Sequence, residues 1–157
     1  MRPAWKAGRP HAVRAGGGRR AWPATMPAER ASNVEHTLID VDGAVQALRQ
    51  FADERDWQQF HSPKNLVMAL SGEVGELTEI FQWMTQADSQ HAASAPETAD
   101  AVRDELADVA LYLIRLADVL GVDLNAAITH KLAANALKYP IATAHGLSTK
   151  YDRLPRS

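Results

Sequence analysis

Apolar residues recur every three or four positions in four segments between residues 40 and 140, and this pattern restricts the fold more than any other feature. The apolar stripe of the third segment consists of Val102, Leu106, Val109, Leu113, Leu116 and Leu120. The sequence shows no strand-like alternation bounded by turn signals, which excludes the βαβ folds that usually bind nucleotides. The sequence therefore predicts an all-α fold, a four-helix bundle with one apolar stripe on each helix.

Capping residues and prolines set the limits of the predicted helices. The first helix covers about residues 40–55. Ser62 as N-cap and Pro63 at the first helical position start the second helix, which runs to about Thr85. The polar, alanine-rich stretch QADSQHAASA that follows is predicted to be a linker.

The last two helices have equally clear signals at their ends. The third opens at Pro96 and Glu97 and continues to Leu120, where Gly121 ends it. The fourth runs over residues 124–139, with Asp123 as its cap and a proline directly after it.

Charge separates an N-terminal extension from the rest of the chain. Residues 1–30 contain seven Lys or Arg and one acid, Glu29, and the remainder sums to −8 because the whole chain carries −2. We expect residues 1–35 to be a disordered basic extension. It could be a nucleic-acid-binding arm, an Arg-rich targeting peptide, or an upstream extension of a reading frame that starts at Met26; we favour the last.

After the extension, we expect a helical domain over residues 36–140 and a polar C-terminal tail over residues 141–157. The composition of the chain excludes several classes of function. Without cysteine, a disulfide framework, a thiolate zinc site and a cysteine nucleophile are impossible. No apolar run approaches the roughly 18 to 20 residues that span a bilayer, so no membrane association is expected. Cytoplasm is the default compartment, and nucleic acid is not an expected partner.

Two helices each carry an acidic pair beside their apolar stripe: Glu73 and Glu76 on the second, Glu105 and Asp108 on the third. Residues three positions apart share a helix face, so the pairs meet if these helices pack antiparallel. A single acidic pair is usually a solvated face. Two pairs that lean into apolar stripes instead create a repulsion that needs a cation. Glu79 points away from the stripe.

A metal ion is the better candidate for that cation, because no Lys or Arg stands three or four positions from any of these acids on its own helix. Oxygen-only ligation favours Mg²⁺, or Mn²⁺, over zinc. A di-iron bundle would need Glu-x-x-His motifs, which this chain lacks. Gly72 and Gly75 are expected to let a neighbouring backbone approach closely.

The remaining candidates would bind a nucleotide. Lys131, Asn135 and Lys138 fall on one arc of about 60° of the fourth helix and could hold a polyphosphate, although salt bridges to nearby acids fit equally well. Aromatic faces stack on nucleobases, but tryptophans more often fill cores or interfaces. The candidate aromatic and loop residues are Trp57, Phe60, His61 and Trp83.

The segments ERDWQQFHSPKNLVMALSGEVGELTEIFQW, ELADVALYL and HKLAANALKYP resemble the MazG-like all-α nucleoside triphosphate pyrophosphohydrolases, most closely the dCTP pyrophosphatase group. The resemblance covers about residues 45–140. The family signature, Glu-x-x-Glu followed by Glu-x-x-Asp, corresponds here to Glu73, Glu76, Glu105 and Asp108.

The resemblance implies a reaction, a site and an assembly. The four acids would bind Mg²⁺ while water attacks the α-phosphorus and releases pyrophosphate and a nucleoside monophosphate. Family members form dimers or dimers of dimers with pockets between subunits. Base and sugar contacts would be Trp57, His61, Trp83 and Tyr112, and phosphate contacts Lys131, Asn135 and Lys138.

The predicted function is Mg²⁺-dependent hydrolysis of a dNTP, dCTP or a modified dCTP first, in house-cleaning of the nucleotide pool. Cytosine-preferring vertebrate members carry a histidine where this chain has Leu48, and leucine cannot hydrogen-bond a base edge, so the base preference stays open. Glu76 lies furthest from its apolar stripe and is our candidate general base. The alternative is a non-catalytic helical module that binds a nucleotide or a partner helix.

Overall fold

The computed structural model describes residues 38–153, which belong to one compact unit, Leu38–Ser157. The predictions for residues 1–35 and the last four residues lie outside the described part. No strand occurs among residues 38–153, and the predicted all-α class is confirmed. The helices are α1 Asp42–Asp53, α2 Pro63–Phe81, α3 Gln86–Ser89, α4 Ala99–Leu120, α5 Leu124–Lys138 and α6 Ile141–Ala144, with 3₁₀ turns at Gln58–Phe60 and Tyr151–Arg153.

The predicted capping residues hold the ends of three helices. The Ser62 hydroxyl accepts a hydrogen bond from the Asn65 amide at 3.3 Å at the start of α2. The Asp123 carboxylate accepts one from the Ala126 amide at 2.9 Å at the start of α5. Gly121 ends α4 with a φ of 65°, the left-handed conformation that glycine adopts at little cost.

Two predicted boundaries differ from the observed ones, and at the first of them a side chain caps a short helix that the sequence pattern did not reveal. α2 ends at Phe81 rather than near Thr85, whose hydroxyl instead accepts from the Asp88 amide at 3.2 Å and caps α3 inside the predicted linker. α4 begins at Ala99, after a turn over residues 96–98. The C-terminal tail contains α6 and the second 3₁₀ turn.

α2 and α4 form the most extensive helix pair among the described elements, and α1 packs against α4. Small side chains dominate the fully buried set, which permits close approach of the backbones. The buried apolar residues are Ala52, Leu66, Ala92, Ala99, Val102, Tyr112 and Ala117. This single chain therefore has a narrow core, centred on the two helices that carry the acidic pairs.

Much apolar surface stays outside this core. α5 buries no residue completely, and Leu137 at its end is 83% exposed. A Cβ added at Gly72 or Gly75 would meet no atom within 4 Å, so the expectation that these glycines admit a neighbouring backbone is wrong within this chain. Within residues 38–153, no helix combines the length and apolarity that crossing a bilayer requires.

Replacing Gly121 by alanine should destabilise the domain by about 1 kcal/mol, because an L side chain is disfavoured at positive φ. The matched control is Gly43→Ala in α1. Both sites have open space around an added Cβ, so only the backbone conformation separates them. Gly43→Ala should instead stabilise by roughly 0.5 kcal/mol. Urea unfolding measures both, and equal effects of the two substitutions would contradict this account.

Candidate active site

Three of the four predicted acidic ligands meet between α2 and α4. Glu73 and Glu76 lie one turn apart on α2, and Glu105 lies on α4. One carboxylate oxygen of each lies within 4.8 Å of the other two. Glu73 is only 2% exposed. Asp108, one turn after Glu105 and partly buried, is outside this group of three and stays a prediction.

The carboxylate group fits a hard divalent cation by its chemistry. Carboxylate oxygens are the ligands that Mg²⁺ and Mn²⁺ prefer. Three negatively charged carboxylates meet here, and one of them, Glu73, is almost completely shielded from water. Like charges at such short range repel strongly unless a cation lies between them. Glu73, Glu76 and Glu105 could therefore hold one metal ion and leave coordination positions for substrate oxygens and water.

The two helices run antiparallel, as the acidic pairs required. His61, just before the start of α2, contacts Arg115 near the end of α4. Further along α2, Glu73 meets Glu105, which is ten positions earlier in α4. Residues later in α2 thus contact residues earlier in α4, and this order of contacts defines an antiparallel pair. The arrangement also places His61 on the same α2–α4 seam as the carboxylates.

A buried polar network adjoins His61. The side chain of Arg115, a residue that is 5% exposed, donates from Nε to His61 Nδ1 at 3.2 Å, from Nη1 to Asp118 at 2.6 Å, and from Nη2 to Gln58. Arg49 on α1 donates to the other side of Asp118, from Nε at 3.1 Å and also from Nη2. The network thus joins α1, the first 3₁₀ turn and α4.

This network shifts the proton equilibria of two groups. Hydrogen bonds from Arg49, followed by the charges of both arginines, lower the pKa of Asp118, which is therefore ionised at neutral pH. Burial lowers the pKa of His61, and the positive charge of Arg115 lowers it further. The imidazole of His61 is consequently neutral at neutral pH, although its ordinary pKa lies near 6.5.

The predicted aromatic contacts occupy different environments. Trp57 is half-buried, with its ring edge-on to Phe51 at a centroid distance of 5.7 Å. Tyr112 is buried on α4, one turn beyond Asp108. Trp83 is 89% exposed after the end of α2. Trp57 and Tyr112 are held by the fold, whereas nothing within residues 38–153 covers the Trp83 ring.

The predicted phosphate-binding row lies on α5. Lys131 is exposed and Asn135 half-buried, and the Lys138 ammonium lies 5.3 Å from the ring centroid of Tyr151. Among the described residues neither lysine forms an ion pair, so the alternative interpretation as salt bridges has no support there. The two lysines remain candidates for binding phosphate.

Sequence reasoning missed Arg115, Asp118, Arg49 and Gln58. One signal was present: Arg115 and Asp118 stand three positions apart inside the apolar run LYLIRLADVL. Charged residues in such a run are expected to be paired, because burying an unpaired charge is costly. The partners on α1 and in the 3₁₀ turn depend on tertiary packing, which local spacing does not encode.

The fold and the carboxylate group define an all-α protein with an acidic site between two antiparallel helices. The profile of the MazG-like family matches residues 68–154. The chain belongs to the MazG-like family.

Its similarity to individual proteins agrees with this. The dCTP pyrophosphatase 1 of Rattus norvegicus is 47% identical over 107 residues, which make up 68% of this chain and 63% of the rat protein. The Bos taurus protein of the same name is 40% identical over 139 residues, 88% of this chain and 80% of its own. The crystal structure of a pyrophosphatase from Archaeoglobus fulgidus is similar with a TM-score of 0.59 and 36% identity, covering 69% of this chain and 99% of that one.

The pKa of His61 makes stability depend on pH in a defined window. The unfolded chain protonates this histidine near pH 6.5 and the folded chain only at lower pH, so the stabilisation is complete above about pH 6.5 and is lost as the pH falls toward the folded pKa. The effect should stay below the one-proton limit of about 1.4 kcal/mol per pH unit, because the ring is partly solvated.

His61→Gln should remove this contribution, since glutamine keeps an acceptor for Arg115 but does not titrate. Between pH 7 and pH 5.5 the free energy of unfolding should fall more in the wild type than in the variant. Guanidinium unfolding at the two pH values measures the difference. A larger loss in the variant would contradict the assignment. Asp118 does not interfere, because its stabilisation is lost only below about pH 4.

Proposed function

We propose that the protein is a nucleoside triphosphate pyrophosphohydrolase that converts a dNTP into a dNMP and pyrophosphate. The observation that carries the proposal is the group of three carboxylates, one of them almost completely buried, between antiparallel helices of a MazG-like chain. Its relatives named dCTP pyrophosphatase 1 support the reaction type.

The carboxylates serve to hold a divalent cation against the triphosphate. Glu73, Glu76 and Glu105 are the proposed ligands, Asp108 is a further one, and the proposed ion is Mg²⁺ with Mn²⁺ as a substitute. When bound, the ion supplies neutralising charge for the phosphoryl group and orientation for the attacking water. Burial of Glu73 keeps its carboxylate fixed, so the site is preorganised before the nucleotide arrives.

The chemical step needs a base as well as a binding site. The oxygen of a water molecule forms a bond to the α-phosphorus, and the bond from that phosphorus to the oxygen bridging to the β-phosphorus breaks. The electron pair leaves with pyrophosphate. A carboxylate takes the proton lost by the water, and Glu76 is our candidate for that role. The products are the monophosphate and pyrophosphate.

The nucleotide would extend from the carboxylates in two directions. Lys131, Asn135 and Lys138 are proposed to bind its phosphates, and base and sugar contacts are assigned to Trp57, His61, Trp83 and Tyr112. We propose dCTP or a modified dCTP as the preferred substrate, in line with the names of the relatives. Leu48, half-buried on α1, offers no hydrogen bond to a base, so discrimination would rest on the other contacts.

We also propose that the protein assembles as a homodimer or homotetramer in the cytoplasm. Large apolar side chains on α5 and directly after it are exposed in the single chain, among them Leu132, Leu137 and Ile141. Contiguous exposed apolar surface commonly marks an interface. A second copy would also supply cover for Trp83, and the helical domain, residues 36–140, would be the unit that pairs.

Glu73→Gln tests the metal site most directly, because it keeps the shape of the side chain and removes one charged ligand. Pyrophosphate release from a panel of dNTPs with Mg²⁺ should fall at least 100-fold. Glu79→Gln is the matched control: it is the same substitution at an exposed position of the same helix and should leave the rate unchanged. EDTA should abolish activity of the wild type.

Activity that persists in EDTA, or equal rates for Glu73→Gln and Glu79→Gln, would contradict the proposal. The competing function is a non-catalytic module that binds a nucleotide or a partner helix. It predicts no pyrophosphate release with any triphosphate and nucleotide binding that is unaffected by Glu73→Gln.

The proposed assembly makes its own prediction. Leu137→Asp places a charge in the most exposed apolar side chain of α5 and should convert the oligomer into a smaller species. Light scattering coupled to size-exclusion chromatography measures the mass of wild type and variant. A monomeric wild type at micromolar concentration would refute the proposed assembly.

A further inference from the structure

Arg115 is fixed more firmly than an isolated arginine would be. Each of its three nitrogens donates to a different partner: Nε to His61, Nη1 to Asp118 and Nη2 to Gln58. Asp118 is in turn held by Arg49, and the side chains of Arg115 and Asp118 are each only 6% exposed. The guanidinium plane therefore has little freedom to rotate. The direction of its Nε–H bond is set by contacts with the first 3₁₀ turn, with α4 and, through Asp118, with α1.

That direction decides which ring nitrogen of His61 carries the proton. A guanidinium has donors and no acceptor, so the Nδ1 atom that receives its hydrogen bond must have a free lone pair. In a neutral imidazole the proton then resides on Nε2. A hydrogen bond at one ring nitrogen commonly selects the tautomer and the orientation of the other.

The surrounding charges favour the same state. Arg115 contacts His61 directly, and Asp118 on α4 and the uncharged Gln58 contact Arg115. Arg49 and Asp53, both on α1, bind Asp118 and Gln58 in turn. The two arginines and the two aspartates balance in charge. A protonated His61 would lose its acceptor for Arg115 and bring a further positive charge into the network.

We propose that Arg115 is a positioning residue that holds His61 as the Nε2–H tautomer, so that His61 presents a single hydrogen-bond donor to the bound nucleotide. The part of this inference that concerns the nucleotide rests on the proposed function. The tautomer of His61 follows from the contacts alone. Arg115 itself does not touch the substrate in this proposal; it acts through the imidazole.

The inference narrows the chemistry that His61 recognises. A donor requires an acceptor on the nucleotide: a carbonyl oxygen of the base, an unprotonated ring nitrogen or a sugar oxygen. An exocyclic amino group at that place would meet another donor and be rejected. A site that hydrogen-bonds its substrate discriminates strongly against a group that leaves a polar atom unpaired. Arg115 would therefore contribute to specificity from a position outside the pocket.

Long-range ¹H–¹⁵N NMR of the full chain labelled at histidine tests the tautomer without any substrate. His61→Gln assigns the resonances. In the wild type at neutral pH, His61 should show a protonated Nε2 and an unprotonated Nδ1. Arg115→Gln should produce exchange between the two tautomers and a His61 pKa closer to its ordinary value. Arg103→Gln, the same substitution at an exposed arginine of α4 that pairs with Asp100 and lies outside the network, is the matched control and should keep the wild-type pattern.

Kinetics with the best dNTP test the link to the nucleotide. Arg115→Gln should raise KM about five- to tenfold with kcat changed less than twofold, the range expected when one hydrogen bond of 1 to 1.5 kcal/mol is no longer held in place. Arg115→Lys, which keeps the charge and a donor to His61, should recover part of the loss. Arg103→Gln should leave KM unchanged.

The outcomes separate the two proposals. A wild-type His61 that is protonated on Nδ1 at neutral pH overturns the positioning role even if Arg115→Gln does not fold. An unchanged KM in a folded Arg115→Gln enzyme overturns it as well. If no triphosphate is hydrolysed by the wild type, the proposed function fails, and the NMR pattern alone decides whether Arg115 sets the tautomer.

Discussion

The antiparallel contact between α2 and α4 is the interaction on which the rest of the structure depends. It brings Glu73 and Glu76 to Glu105, and by the same register it brings His61 to Arg115. The buried alanines and Leu66 allow the helices to approach, so the apolar stripe supports the polar site directly. The positions of these acidic and basic side chains are therefore determined by the packing of apolar residues that take no part in the chemistry.

Two opposite electrostatic problems lie along this contact. At the carboxylates, three acidic side chains meet and could hold a cation. At Arg115 the chain supplies its own counter-charge through Asp118, and the two arginines share that aspartate. Burial makes both arrangements demanding, because an uncompensated charge in a dry environment is costly. The first site is suited to binding and the second to holding a side chain in one orientation.

Much of this could be predicted from the sequence, because the signals are local. Ser62, Asp123 and Gly121 mark helix ends through contacts within one turn, and the acidic pairs share faces by their spacing. The cap at Thr85 was missed because a one-turn helix has no apolar period. The Arg115 network was missed because Arg49 and Gln58 are more than fifty residues away along the chain. Gly72 and Gly75 were misjudged because glycine alone does not say what lies beside it.

The central claim is that the carboxylates between α2 and α4 bind a divalent cation together with a nucleoside triphosphate. A crystal structure of the protein with Mg²⁺ and a dNTP analogue whose α,β-bridging oxygen is replaced by an imido group tests it most directly. The account predicts a cation that contacts oxygens of Glu73, Glu76 and Glu105 and of the triphosphate, with the base on the His61 side. A triphosphate bound away from these carboxylates, or a cation that contacts none of them, would contradict it.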